Sequence, residues 1–512
     1  MNKKQAFRLA TFSLLAILLI LMPSFVNQVP VSEMGPLSKL VSFVLKALNV
    51  SLLAKETLMQ YINAFFIWLT IFLVTRYLKL ILGWRAAMFG VIFLSLFPRF
   101  VGASVQNLID IPFVFFYFLS FTQIYSISRE LPRFKIKRVI FLLFSLTTTA
   151  FIHPAGSVLV IYLIVYLVVS TFFKYNAKWH KLEDRKSTLI KLSSLLAGFT
   201  ILTILSAFLS AKFIYNIPFT NPFLVLNSLN YPINSSYQIF ESKLYHSDQL
   251  PHYYLIKYLF ISTPIVTLIG LFFFLIFIRT IKKDLNPFYL FIIVITFLFP
   301  IVFSSLNHFN SNGYWTIYYV SVPFLVIISI IGIESLLRTI DDRYVNIVIS
   351  IVLFLLLLAP LRHNIVTVPA TSIYFNEFAG GVSSSYGKYS LDLNSHVPQI
   401  ASKWIIKHIY ENDIRDFKDN DTILVLTDAN INCKSYFEKT RYIDVQNGTY
   451  QEFLNGKGQY FMSFPDQIDP FLIKTNQWPP QNAVYTIKIE DAPVVSFIKR
   501  QRTKDEGQMT KD

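Results

Sequence analysis

A chain of 512 residues that is 54% hydrophobic and only 15% charged is too apolar for a soluble globular protein, where about 45–50% and about 25% are usual. The formal net charge of +16 would suit a nucleic-acid partner. Much of it sits in short turns between apolar runs, where it sets membrane orientation instead, so no nucleic acid is expected. One cysteine, Cys433, excludes an intrachain disulfide and any CxxC metal site, and the eight histidines lack HExxH or HxxxH spacing, so no metal cage is expected.

Residues 1–8 are basic and precede an apolar run over 9–26, with no small-x-small cleavage site after it. This reads as an uncleaved first span. Residues 35–54 carry Lys39 and Lys46 among Leu, Val and Phe, a pattern for a helix lying on the membrane. Further apolar runs of spanning length begin near Thr57, Leu82, Ile109, Val139, Gly156, Leu189, Tyr258, Pro287, Tyr314 and Val345. The expectation is therefore an all-α polytopic domain of about eleven spans. The run from Leu82 is the weakest, because Arg85 interrupts its start.

Orientation follows from the short loops. Arg76, Lys79 and Arg85 mark one basic turn, and Arg129 to Arg138, Lys174 to Lys191, Arg279 to Lys283, and Arg338 with Arg343 mark others. These alternate with weakly charged turns and fall on the side of the N-terminus, which is therefore expected inside the cell and the C-terminus outside. The expected division is a membrane domain over 1–361, with outer loops at 27–56, 97–109, 215–255 and 305–314. An extracytoplasmic α/β or α+β domain follows over 362–500, and a disordered tail over 501–512. In the outer domain, residues 397–410 have helical period. DTILVLTD, QYFMSF and AVYTIKIEDAPVVSFIKR read as strands, the last a hairpin about Glu490 and Asp491.

Unusual polar residues at span ends collect on the outer side: Glu33, Arg99, Asp110, His153, His308 and Arg362. A transporter would more often bury ionisable groups at mid-span; here the clustering fits a reaction centre at the outer face. Asp110, with Asn107 before it and Pro112 after it, reads as a helix cap or as a functional acid in a wet cavity. Glu33 reads as a general base for a hydroxyl or as an ordinary loop glutamate. Arg99 has the fork geometry for a phosphate, or snorkels to the interface. His153 before Pro154 reads as structural. The loop 215–254, with His246, Asp248 and His252, is a candidate substrate lid. Tyr374, Asn376 and Glu377, followed by Gly380-Gly381, form a polar link that folds over a site or hinges the tail domain.

Three stretches carry a family resemblance. FPRFVGASVQNLIDIPFVFFY, SIYFNEFAGG and AVYTIKIEDAPVVSFIK resemble segments of GT-C glycosyltransferases of family 39, the relatives of dolichyl-phosphate-mannose protein mannosyltransferases. The resemblance implies a multi-pass enzyme of a bacterial inner membrane. It would move a sugar from a polyprenyl phosphate to a hydroxyl on a protein, lipid or glycan, inverting the anomeric centre. It further implies Glu33 as base and Asp110 as the assisting acid, holding the acceptor or a divalent cation (Mg or Mn). Arg99 and Arg362 would contact the lipid phosphate, and Asn107, His153 and Tyr374 to Glu377 the acceptor side. The sequence departs from the family at three places. The first outer loop has the single acid Glu33. SNGYWTI lacks an expected arginine and histidine, and YSLDLNSH keeps only Asp392. These departures fit a divergent acceptor or weakened catalysis. The rival readings are a polysaccharide polymerase or ligase using its long loop, and a transporter or non-catalytic membrane protein.

Overall fold

Apolar runs become helices here because a bilayer gives the backbone of an isolated segment no other way to satisfy its polar groups. The computed structural model describes residues 37, 52–103, 109–130, 135–178, 185–214, 237–307, 311–391, 397–413, 422–428, 433–437 and 440–500. Glu33, Asn107, His308, Asp392, the first span and the tail 501–512 lie outside the described residues, as does nearly all of the amphipathic stretch 35–54. The chain divides into two units, residues 1–233 with 248–372, and residues 234–247 with 373–512.

The first unit is helical: α1 Leu52–Leu82, α2 Trp84–Ser95, α3 Pro98–Gly102, α4 Asp110–Glu130, α5 Ile136–Ile152, α6 Val158–Lys178 and α7 Arg185–Leu209, then α8 Tyr254–Ser262, α9 Ile265–Ile276, α10 Ile278–Asp284, α11 Pro287–Asn307, α12 Ser311–Thr339, α13 Arg343–Leu356 and α14 Leu358–Val366. Among the described residues six helical stretches are long and apolar enough to cross a membrane, or seven if the bent pair α8–α9 is one span. The chain is an integral, multi-pass membrane protein. The run from Leu82 yields α2, whose 12 residues reach only about 18 Å, short of a bilayer core of about 30 Å. The run from Tyr258 is broken by 112° between α8 and α9. Pro264 supplies the break, since the residue before a proline is pushed out of the helical region, and Thr263 is extended. The turn expected over 305–314 is partly helix, since α12 starts at Ser311.

Helix α12 is the axis of this unit. It packs against α1, α2, α4, α8, α9 and α11, and nearly all of Trp315–Thr339 is buried. Against α9 the two backbones nearly touch. A Cβ on Gly332 would lie 2.1 Å from the Gly270 carbonyl oxygen and 2.4 Å from the Phe274 nitrogen, a small-residue contact that lets membrane helices approach closely. At its far end α12 carries Glu334, 1% exposed. Arg85 at the start of α2 answers it, its Nε donating to both carboxylate oxygens at 3.0 Å and its Nη2 adding a further bond. Arg338 Nε stands 3.7 Å from the same carboxylate, while its Nη2 donates to the Leu82 carbonyl at 3.0 Å and so satisfies an orphan acceptor at the end of α1.

The second unit holds, among its described residues, the four strands expected from the sequence and three more, two within 237–246 and one at 443–448. In chain order they are β1 Tyr237–Phe240, β2 Lys243–His246, β3 Ile423–Asp428, β4 Ile443–Gly448, β5 Tyr460–Ser463, β6 Ala483–Ile489 and β7 Ala492–Lys499. The five-stranded sheet has the order β4-β3-β5-β7-β6. β3 runs parallel to β4 and β5, and β7 antiparallel to β5 and β6. The β6–β7 hairpin turns at Glu490 and Asp491, both at positive φ, as two-residue hairpins require. Helix α15, Val397–Asn412, fulfils the helical period of 397–410 and sets Trp404 against Phe497 of β7, ring centroids 4.2 Å apart. The β1–β2 hairpin comes from the long loop read as a candidate lid, yet it is built into this unit. Ile239 N donates to Ser390 Oγ at 2.8 Å and Ser390 N to the Ile239 carbonyl at 2.8 Å, and Ile239 packs with Ile473 and Trp478.

Asp428 ends β3 with its side chain buried, accepting from Phe464 N at 2.7 Å. Burial pushes its carboxyl up from the ordinary 3.8 to about 7, the protonated form being the cheaper one to bury.

Two predictions follow from this packing. Gly332→Val has no room between two backbones, so it should lower the melting temperature of the full chain in detergent sharply or abolish monodisperse recovery. Gly198→Ala, where a Cβ meets nothing within 4 Å, should be neutral or mildly stabilising. For Asp428, a raised folded-state pKa gives stability that is full below pH 4 and is lost as pH rises through about 7. Melts of the full chain across that window should show wild type losing up to the order of 4 kcal/mol relative to Asp428→Asn. Parallel curves would contradict the assignment.

Candidate functional site

Arg99 is the second residue of α3, behind Pro98, where a missing N–H costs nothing. It is a poor residue to bury, yet it is 2% exposed, and aromatic rings receive it. Its guanidinium carbon lies 5.1 Å from the Trp315 ring centroid and 5.6 Å from that of Tyr258, within the range of cation–π attraction. The rings brace each other: Tyr258 and Trp315 stand edge to face at 5.3 Å, Trp315 Nε1 donates to the Tyr254 hydroxyl at 3.3 Å, and the Tyr318 and Ser262 hydroxyls pair at 2.9 Å. Below, Asn63 Nδ2 of α1 donates to the Ala103 carbonyl at 3.2 Å, fixing the end of α3. α14 packs on α3 from another side.

Asp110 is the first residue of α4, where the helix dipole favours a carboxylate. It is half-buried, and the Thr316 hydroxyl donates to its Oδ1 at 3.4 Å. Trp315 and Thr316 are consecutive on the first turns of α12, so one helix end meets both Arg99 and Asp110. His153 caps the end of α5 and accepts through Nδ1 from Ala155 N at 3.2 Å; its ring meets Phe113, three residues after Asp110, at 5.4 Å.

The remaining residues singled out in the sequence fall differently. Arg362 of α14 is exposed, while its neighbour His363 is buried with Nε2 3.1 Å from the Thr371 carbonyl oxygen. In the second unit, Tyr374 and Asn376 are buried, and Asn376 caps a short turn by accepting from Ala379 N at 3.1 Å. Glu377 alone of the three is exposed. Among the described residues no three His, Cys, Asp or Glu side chains are placed to hold one metal ion. Asp110 with its hydroxyl partner does not make a divalent-cation site by itself.

The residues missed in the sequence are Tyr258, Trp315 and Thr316. Trp315 and Thr316 lie in SNGYWTI, the stretch that departs from the family pattern by lacking an arginine and a histidine. Their signal was present as polar and aromatic groups at a span end, but nothing local names their partners. The arginine contact makes a specific prediction. Trp315→Phe keeps a ring face and Trp315→Leu does not, so the Leu variant should be less stable than the Phe variant by about 1–2 kcal/mol in thermal unfolding of the purified chain. Equal stability would mean the rings only fill space.

No protein-family model and no curated protein matches the sequence. Among solved structures, the chain is similar to ArnT from Cupriavidus metallidurans in the apo state, at 12% identity over 91% of this chain and 87% of that one, with a TM-score of 0.43. The same enzyme bound to undecaprenyl phosphate gives 11% identity over 91% and 88%, with a TM-score of 0.41. The Archaeoglobus fulgidus oligosaccharyltransferase tethered to an acceptor peptide gives 12% over 86% of this chain and 62% of that one, with a TM-score of 0.43.

Proposed function

We propose that the protein is a membrane glycosyltransferase of the GT-C type, taking a sugar from a polyprenyl phosphate and passing it to a hydroxyl acceptor at the outer membrane face. The observation that carries the reading is the convergence of Arg99 and Asp110 on consecutive residues of α12. Arg99 has the charge and fork geometry for a phosphate, and the sequence resemblance makes Asp110 the assisting acid. In this reading the basic turns lie on the cytoplasmic side of a bacterial inner membrane with the N-terminus, and the C-terminal domain lies outside.

The reaction requires three things. The acceptor oxygen attacks the anomeric carbon, its proton passes to a carboxylate, and the bond from that carbon to the phosphate oxygen breaks with inversion. The polyprenyl phosphate departs carrying the electron pair. Arg99 faces that departing charge: two ring contacts keep its planar fork in place before the substrate arrives, so little reorganisation is needed as charge develops. Asp110, steadied by Thr316 and the α4 dipole, orients the acceptor hydroxyl. Glu33 is the proposed base.

The test is sugar transfer in membranes carrying wild type, Glu33→Gln, Asp110→Asn and Arg99→Lys, offered labelled polyprenyl-phosphate sugars at matched expression. Glu33→Gln and Asp110→Asn should each lose roughly 10²-fold or more in rate, and Arg99→Lys should raise the KM for donor about tenfold by losing the bidentate fork. Full activity in all three variants, or no transfer by wild type across a broad donor panel, would contradict the reading.

A further inference from the structure

At the opposite end of α12 from Arg99 lies a groove of about 540 Å³ lined by Arg85, Asp341, Arg343, Asn346, Ser350, Ile347, Ile351 and Phe354. Its chemistry is graded. Arg85, Asp341 and Arg343 sit at the mouth, beside the α13 N-terminus, where Asp342 caps the helix by accepting from Tyr344 N at 2.7 Å and Val345 N at 3.2 Å. Asn346 and Ser350 come next. Ile347, Ile351 and Phe354 continue along the same face of α13, at the spacing of one helical stripe, and rise about 16 Å from Arg343 to Phe354 at 1.5 Å per residue. All three are exposed, Phe354 by 62%, in the helical stretch Arg343–Val366, which is long and apolar enough to cross a membrane. A polar mouth that runs into a lipid-facing apolar stripe matches a molecule with a charged head and an acyl chain.

The charges at the mouth select which head. Arg85 is already shared with Glu334, and Arg343 faces solvent beside the exposed carboxylate of Asp341. The mouth is thus balanced rather than strongly basic, so it offers little net attraction to an anionic lipid. It presents guanidinium donors for a phosphate and a carboxylate acceptor for an ammonium. A choline head carries the same charges but has no N–H to give to Asp341. We propose that this groove binds a phosphatidylethanolamine, with phosphate on Arg343 and Arg85, ammonium on Asp341, and one acyl chain along Ile347, Ile351 and Phe354.

Native mass spectrometry of the full chain in mild detergent, with phosphatidylethanolamine, phosphatidylcholine and phosphatidylglycerol added at equal concentration, tests the proposal. Wild type should retain the ethanolamine lipid about tenfold over the other two, the size expected from one charge-assisted hydrogen bond. Asp341→Asn should erase the discrimination against choline, and Arg343→Gln should lower retention of all three lipids. Ser350→Trp, which fills the groove without touching the charges, should block retention and so keeps the test decisive if a charge variant fails to fold. Equal retention of the three lipids by wild type, preference for phosphatidylglycerol, or an unchanged pattern in the variants would overturn it.

Discussion

A carboxylate buried in a membrane helix has to be answered where it lies, and Glu334 is answered by Arg85 and Arg338. Removing one partner from such a pair leaves an uncompensated charge at a cost of about 3–5 kcal/mol when both are fully buried. The exposed guanidinium of Arg85 makes the value here smaller. The ion cluster fixes α12 to the start of α2 and the end of α1. Glu334 follows Thr316 by eighteen residues, about 27 Å of helix, so the two polar ends of α12 are separated by close to one hydrocarbon thickness of about 30 Å. The Gly270–Gly332 contact holds α9 against the helix between them. The position of Trp315 and Thr316, and with it the geometry around Arg99 and Asp110, depends on this axis being pinned at its other end.

The two ends of α12 carry different contacts. At Glu334, carboxylate and guanidinium neutralise each other, which suits a structural anchor. At Arg99, aromatic faces receive the cation. Rings attract a guanidinium through its faces, and its planar fork matches the oxygens of a phosphate. Helix α3, only five residues long, is what brings Arg99 inward. Its proline start and the Asn63 contact at its far end define it more than any apolar periodicity does.

Much of this was legible in the chain itself. Hydropathy marked the runs that became α1, α4 to α7 and α11 to α13, because burial in lipid leaves an apolar length that needs no partner to be recognised. Period-two patterning and Glu490-Asp491 marked the β6–β7 hairpin for the same local reason. Arg99 and Asp110 stood out as charges at span ends. What could not be read were relations between distant segments. Tyr258 and Trp315 are aromatic residues among many until folding sets them against Arg99, well over a hundred residues away. The hairpin at 237–246 belongs to the second unit through backbone pairing with 388–390, which no local pattern encodes. Glu334 did leave a signal, an acid inside IIGIESLLRT, but Arg85 read as an interruption and a turn charge, and Arg338 as a loop charge, until the ion pair joined them. The proline after Thr263 was likewise a readable break within a run taken as one span.

The central claim is that the Arg99 end of α12 receives a lipid phosphate. The most direct measurement is an experimental structure of the full chain with a polyprenyl phosphate bound. The account predicts the phosphate oxygens within hydrogen-bonding distance of the Arg99 guanidinium, with the Trp315 and Tyr258 rings still against it. A phosphate bound at the Glu334 end, or on surface residues with Arg99 facing only its rings, would contradict it.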